Sequence, residues 1–207
     1  MTNFDLSQKV FNFLKSCGVD TVIVCAGARN APLVFQLDQQ PFKKVFYFEE
    51  RSAAFYALGL MKASQKPVAI ITTSGTAAAE LLPATIESFY QGLPLILVTA
   101  DRPKSFRKSG APQAIEQIGL YSTYVQQCID WDSTTKENHV EISLNQPIHL
   151  NVCFNEPLLD LRSSAEVDIK ISIKEINPLP SASGLNIKNP LIVVGQIDKP
   201  EKVSVLK

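Results

Sequence analysis

The sequence has no surplus of charge: its 207 residues carry 20 Lys+Arg against 20 Asp+Glu. That balance removes any overall electrostatic attraction to nucleic acid or to an anionic membrane surface. Histidine is scarce. His139 and His149 stand without cysteines at ligand spacing, which argues against zinc and nominates no metal residues. No C-x-x-C pair occurs among the cysteines. Cys17 lies on a helical apolar face and Cys25 and Cys153 in apolar runs, so buried, reduced thiols are expected. No apolar run approaches the roughly 20 residues that span a bilayer, and the N-terminus does not read as a signal peptide. A cytoplasmic protein without membrane contact is the expectation. Neither G-x-x-x-x-G-K-S/T nor G-x-G-x-x-G occurs, so the common phosphate-binding fingerprints are missing.

What is present has the composition of an ordinary globular protein, 45% hydrophobic and 19% charged. Leu6, Val10, Leu14 and Cys17 recur at helical spacing behind Thr2-x-x-Asp5, which reads as a capping box, and Gly18 ends that helix. Residues 21–25 read as a strand buried on both faces. Further strands are expected at 44–48, 67–72, 93–99 and 148–154, with a weaker one near 124–129. Helical patterns at 52–64 and 77–90 separate them. Continuous apolar strands alternating with amphipathic helices predict a doubly wound α/β fold, its sheet mainly parallel with helices on both faces. Ligands on such sheets bind at the carboxyl ends of the strands. Residues 27–30, 49–51, 73–76 and 101–103 all fall at those ends and are expected to share one edge. The expected organisation is a domain over 1–160, an interdomain linker over 161–189 holding one weak alternating strand at 167–173, and a fresh α/β unit at 190–207. That last unit stops unfinished, as in a chain cut short.

The carboxylate pair Glu49-Glu50 opens an apolar helix. Capping is one role for an acid there, because the helix dipole favours negative charge at its N-terminus. The other role is chemical: Ala53, Ala54, Ala57 and Gly59 let a second surface approach, and a glutamate in a dry crevice can pass a proton to a neighbouring base. Thr73-Ser74-Gly75-Thr76 is either a backbone cradle for phosphate or a plain strand-to-helix turn. Arg29 and Arg102 each follow a strand end beside a proline. Their planar guanidinium groups suit carboxylates, which suggests an acidic substrate, and solvated surface arginines are the alternative. Gln113, on the turn Gly110-Ala111-Pro112-Gln113, can read a hydroxyl or carboxylate or cap a helix. Trp131 and Phe46-Tyr47-Phe48 read as core or interface residues, and Arg107-Lys108 as a solvated pair.

Six ordered motifs carry a resemblance. They are Gly27-Ala28-Arg29-Asn30-Ala31-Pro32-Leu33, Glu49-Glu50-Arg51-Ser52-Ala53-Ala54-Phe55, Thr73-Ser74-Gly75-Thr76-Ala77-Ala78-Ala79, Leu97-Val98-Thr99-Ala100-Asp101-Arg102-Pro103, Gly110-Ala111-Pro112-Gln113-Ala114-Ile115, and Asn151-Val152-Cys153-Phe154-Asn155-Glu156-Pro157-Leu158. Over roughly residues 5–160 the chain resembles the N-terminal, pyrimidine-binding domain of thiamine-diphosphate enzymes, and among them the synthases of menaquinone biosynthesis. The resemblance implies a flavodoxin-like six-stranded sheet and thiamine diphosphate with Mg²⁺ as cofactors. Its implied activity is decarboxylation of 2-oxoglutarate and addition of the succinyl carbanion equivalent to isochorismate. It implies that Glu50 hydrogen-bonds N1′ of the cofactor's aminopyrimidine, that Ser74, Gly75 and Thr76 border that ring, and that Arg29, Asn30, Arg102 and Gln113 contact the acidic substrates. Ala28 departs from the family's more usual serine and removes one hydroxyl contact. The Gly-Asp-Gly motif and downstream asparagine that hold Mg²⁺ and diphosphate in the family are absent. In the family the site forms between domains of two subunits, so a homo-oligomer, dimer or tetramer, is implied, and the 207 residues alone are expected to be inactive. The alternatives are another thiamine-diphosphate enzyme, such as an acetolactate-synthase relative, and a non-catalytic flavodoxin-like binding or oligomerisation module.

Overall fold

The computed structural model describes residues 1–136, 138–159 and 167–174. Its strands are β1 (Thr21–Cys25), β2 (Lys43–Tyr47), β3 (Val68–Thr72), β4 (Leu95–Asp101), β5 (Cys128–Trp131), β6 (His139–Ile142), β7 (Ile148–Cys153) and β8 (Lys170–Ile173). Its helices are α1 (Asn3–Ser16), α2 (Ala31–Leu37), α3 (Glu50–Ser64), the single turn α4 (Thr76–Ala79) and α5 (Leu82–Tyr90). Six strands form one wholly parallel sheet in the order β2-β1-β3-β4-β7-β5, and β6 pairs with β8 in a second, two-stranded sheet. The expected linker and second unit lie outside the described residues except for 167–174, where the weak strand is β8.

Alternation along each strand divides the core into two layers. Val22 and Val24, Ile96 and Val98, and Leu150 and Val152 point to the side covered by α1 and α2, through Leu6, Val10, Phe13, Leu33 and Leu37. Ile23 and Cys25, Ile70, and Leu95 and Leu97 point to the opposite side, under Ala53, Ala54, Ala57 and Met61 of α3 and Leu81 and Ala84 beside or within α5. The close approach that the small residues of α3 permit is therefore that of the sheet, since Ala53, Ala54 and Ala57 are fully buried. The outward side of α3 carries Phe55 and Tyr56, with exposed Phe46 on the adjoining edge strand and Phe48 just beyond it. Trp131 lies in the core, its ring met edge-on by Phe13 at 5.8 Å.

Local chemistry explains the helix ends. Thr2 caps α1 as the sequence predicts: its hydroxyl accepts from Asp5 N at 3.2 Å while the Asp5 carboxylate accepts from Thr2 N at 2.8 Å. Thr2→Ala is expected to lower unfolding free energy by about 1 kcal/mol in urea titrations, without altering the slope of the transition. The helix expected over 77–90 is in fact two pieces. Pro83 sits in the first turn of α5, where its missing N–H costs nothing, and this restarts the helix instead of continuing α4. No helix among the described residues is long and apolar enough to cross a membrane.

One region departs from helices on both faces. Between β4 and β5 the chain forms only two short 3-10 turns, Lys104–Phe106 and Ser122–Tyr124. A helix satisfies its own backbone, whereas an irregular segment packed on a sheet needs polar partners beneath it. Accordingly Thr99 and Asp101, His149 and Asn151, and Cys128 and Asp130 occupy the inward-facing positions of β4, β7 and β5 on this side.

Candidate functional site

The parallel register ends β1, β2, β3 and β4 on one edge, with Cys25 beside Tyr47, Val24 beside Ile71 and Thr72 beside Thr99. The segments after β1 and β3 meet across it. A Cβ on Gly27 would stand 2.6 Å from Thr73 Cβ, so only glycine allows that approach. Arg29 N donates to Thr73 Oγ1 at 3.2 Å. Because β2 lies on one side of β1 and β3 on the other, the chain changes winding direction here, the position at which open α/β sheets bind ligands.

The two glutamates divide the roles that the sequence left open. Glu49 is the cap of α3: its carboxylate accepts from Arg51 N at 3.0 Å and Ser52 N at 2.8 Å, and from the Ser52 hydroxyl. The Ser52 side-chain hydrogen bond leads the effects that hold Glu49 below the usual carboxylate range. Glu50 is thereby freed from capping. Its half-buried carboxylate reaches the strand ends, where Thr72 Oγ1 donates to Oε1 at 3.5 Å. Burial, reinforced by the charge of Glu50, pushes the Cys25 thiol up to about 12.

Arg29 is buried and its Nη1 pairs with Glu156 Oε1 at 2.9 Å, so it is not a solvated surface arginine. Asn30 is fully buried and spends its amide on the turn, Oδ1 accepting from Gly27 N at 2.8 Å and Nδ2 donating to Cys25 O at 2.9 Å. Arg102 donates from Nε to Pro112 O at 2.8 Å and stacks on Phe106 at 5.5 Å, which fixes its guanidinium plane. Gln113 is exposed, in the left-handed region at φ 56°, and lies against Gly75, whose hypothetical Cβ would be 3.0 Å from Gln113 Cβ. At the turn Gly75 has a φ of 81°, which glycine tolerates, α4 is one turn long, and the Gly75 amide is donated to Gln117 Oε1 at 2.9 Å and so is not free for a phosphate. The structure thus brings Glu50, Ser74, Gly75, Thr76, Arg29, Arg102 and Gln113 to one edge, with Asn30 shaping it from within.

Behind this edge lies a buried polar network that single-residue motifs did not reveal. Asn151 is its hub. Its Nδ2 donates to Asp130 Oδ1 at 2.9 Å and Asp101 Oδ2 at 3.1 Å, while Oδ1 accepts from Gln117 Nε2 at 2.8 Å and Thr99 Oγ1 at 2.9 Å. Thr99 has one proton and gives it to Asn151, so His149 Nε2, 2.7 Å away, donates to Thr99. His149 Nδ1 then accepts from the Cys128 thiol at 3.1 Å, which burial keeps protonated by raising its pKa. Arg107, far from being simply solvated, binds Asp130 at 2.8 Å, and Lys104 binds Asp132 at 2.9 Å. Burial raises the Asp101 carboxyl above its ordinary range, whereas at Asp130 the same effect is outweighed by Arg107 and Asn151, and its pKa falls. The available signal was polar residues at alternate positions of β4 and β7 in otherwise apolar strands.

Burial pushes the His149 imidazole down to about 3 from an ordinary 6.5. The folded protein keeps the ring neutral while the unfolded chain takes up a proton below pH 6.5, so stability falls with falling pH by up to about 1.4 kcal/mol per unit. Urea denaturation at pH 7, 6 and 5 is expected to show this slope, and His149→Gln to flatten it. Asp101 acts with the opposite sign, adding stability at low pH, so the comparison with the variant isolates the histidine.

Residues 4–120 match the family model described as the N-terminal TPP-binding domain of thiamine pyrophosphate enzymes. The chain is 44% identical, over 98% of its length, to a 2-succinyl-5-enolpyruvyl-6-hydroxy-3-cyclohexene-1-carboxylate synthase of Bdellovibrio bacteriovorus. It is 38% identical, over 93% of its length, to the Staphylococcus epidermidis enzyme of the same name. It spans 40% and 39% of those two proteins. A benzoylformate decarboxylase structure from Polynucleobacter necessarius superposes with a TM-score of 0.58 at 16% identity, covering 78% of this chain and 33% of that one, and shares the fold.

Proposed function

The chain belongs to the thiamine pyrophosphate enzymes through their N-terminal TPP-binding domain, and from that premise we propose that it is the pyrimidine-binding part of a 2-succinyl-5-enolpyruvyl-6-hydroxy-3-cyclohexene-1-carboxylate synthase. The observation that carries this reading is the release of Glu50 from capping: Glu49 closes the helix, and the Glu50 carboxylate keeps acceptor capacity at the switch point. A carboxylate in that position suits a ring nitrogen that must be held and protonated, which is the fit required of the aminopyrimidine. When bound, the cofactor supplies the carbanion chemistry. Glu50 holds the proton at the pyrimidine nitrogen. Ser74, Gly75 and Thr76 border the ring, in a turn whose glycine lets Gln113 pack against it.

Arg102 and Arg29 bind the carboxylates of 2-oxoglutarate and isochorismate, and Gln113 contributes a neutral donor and acceptor. Asn30 acts by shaping the turn that presents Arg29. Mg²⁺ and the diphosphate belong to the domain that carries the Gly-Asp-Gly motif in the family, contributed by another subunit of a homo-oligomer. The exposed Phe46, Phe48, Phe55 and Tyr56 around Glu50 support burial of this surface in that assembly. For the domain organisation the proposal keeps a pyrimidine-binding domain over 1–160, a linker over 161–189 and a middle-domain segment over 190–207; residues 175–207 lie outside the described residues, and within the linker Lys170–Ile173 pairs with β6.

The test is turnover by the complete synthase with thiamine diphosphate and Mg²⁺. Consumption of 2-oxoglutarate with isochorismate, and at least about 100-fold poorer use of pyruvate, is the expected result. A preference for pyruvate contradicts the reading in favour of an acetolactate-synthase relative, and failure to bind the cofactor contradicts it in favour of a binding module. Residues 1–207 alone are expected to consume no 2-oxoglutarate.

A further inference from the structure

The candidate site has two halves on different segments. Ser74, Gly75 and Thr76 follow β3 on the cofactor side, while Arg102 and Gln113 follow β4 on the substrate side. One buried side chain, on the segment that follows β4, joins the cofactor-side turn to the end of β4. Gln117 is 1% exposed, and its Oε1 accepts from Gly75 N at 2.9 Å. Its Nε2 donates to Ala100 O at 3.3 Å and to Asn151 Oδ1 at 2.8 Å. Ala100 lies two residues before Arg102, and the intervening Asp101 accepts from Arg102 N at 2.7 Å while its other oxygen is held by Asn151.

The orientation of this amide is determined. Asn151 must present Oδ1 to Gln117, because its Nδ2 faces the carboxylates of Asp101 and Asp130. Gln117 must therefore present its NH₂ to Asn151 and its oxygen to Gly75. A flipped amide would set a donor against the Gly75 N–H and an acceptor against two acceptors. Gln113, four residues earlier, rests directly on Gly75, so a displacement of the turn is also a displacement of the substrate loop.

We propose that Gln117 is a positioning residue that locks the cofactor-side turn to the substrate-side loop, so that both halves of the site are set as one unit. The proposal rests on the functional reading above. A chain that touched only one half, or that served stability alone, would not link affinity for cofactor and substrate. Methionine in this place fills the volume and makes none of the three hydrogen bonds. Glutamate keeps an acceptor for Gly75 but as a carboxylate opposes Ala100 O and Asn151 Oδ1.

The experiment compares Gln117→Met and Gln117→Glu in the complete synthase, at a temperature where unfolding curves show each variant fully folded. For Gln117→Met, the apparent affinity for thiamine diphosphate and the KM for 2-oxoglutarate are each expected to worsen about tenfold, and kcat/KM to fall about 100-fold. For Gln117→Glu, cofactor affinity recovers towards wild type while the KM for 2-oxoglutarate stays raised. In the 207-residue chain, NMR is expected to show faster solvent exchange of the Gly75 amide in Gln117→Met and near-normal exchange in Gln117→Glu. Wild-type KM values and Gly75 exchange in the folded Gln117→Met variant would overturn the proposal. Should the wild-type synthase not use 2-oxoglutarate at all, the functional reading fails, and Gly75 exchange in the chain alone still decides whether Gln117 holds the turn.

Discussion

Asn151→Leu is expected to cost about 3–5 kcal/mol of unfolding free energy, a large share of the roughly 5–15 kcal/mol typical of a domain. The side chains are similar in volume, so the loss does not come from a cavity. It comes from four groups left behind, of which Thr99, Asp101 and Gln117 are buried and Asp130 is partly so. Asn151 is fully buried and donates to two carboxylates while accepting from Thr99 and Gln117. Leucine removes the donor that lies between Asp101 and Asp130, leaving Arg107, with Lys104 at the outer side of Asp130, to offset two acids that approach the same point. Removing one partner from a buried network costs the desolvation of those that remain, which exceeds the net value of each bond. Urea denaturation measures it directly: the midpoint should fall steeply with the slope unchanged. A loss below about 1 kcal/mol would mean that water reaches these groups and that the network contributes little.

On the proposed function, Glu50→Gln in the complete enzyme is expected to lower kcat/KM by about 10²–10⁴-fold, the range for loss of a positioned acid or base, or about 3–5 kcal/mol in the barrier. Folding stability should change by no more than about 0.5 kcal/mol. The two effects separate because the adjacent acids have separate duties. Glu49 satisfies the first amides of α3, and Glu50 has a single long contact with Thr72. Glutamine preserves size and can still contact a ring nitrogen, but it cannot hold a proton there. Steady-state kinetics beside thermal unfolding of both proteins distinguishes this result from misfolding. Equal losses in activity and stability would assign Glu50 to structure.

The sheet was legible because its strands are continuous apolar runs, and Val22 to Cys25 or Leu95 to Ala100 fit no other element as well. The parallel arrangement followed from the helices between them, and with it the shared edge that unites Glu50, Gly75, Arg29 and Arg102. Two kinds of feature were hidden. Which member of Glu49-Glu50 caps the helix depends on one backbone step: Glu49 lies in extended geometry just outside the helix and Glu50 just inside it. The polar network was hidden because its members come from β4, β5, β7 and the irregular segment between β4 and β5. Thr99 and Asn151 become partners only when β7 pairs with β4 in a register set by the whole sheet. Arg107 read as solvated for the same reason, since Asp130 is 23 positions away in sequence and 2.8 Å away in space. The break before α5 was foreshadowed by Pro83, whose missing N–H suits a helix start and not a helix interior.

The most direct test of the role proposed for Glu50 is the rate at which the thiazolium C2 proton of bound thiamine diphosphate exchanges with D₂O, measured by quenched-flow NMR in the complete enzyme and its Glu50→Gln variant. Slowing by about 100-fold or more with cofactor still bound is the expected result. Exchange at the wild-type rate in the variant would contradict it.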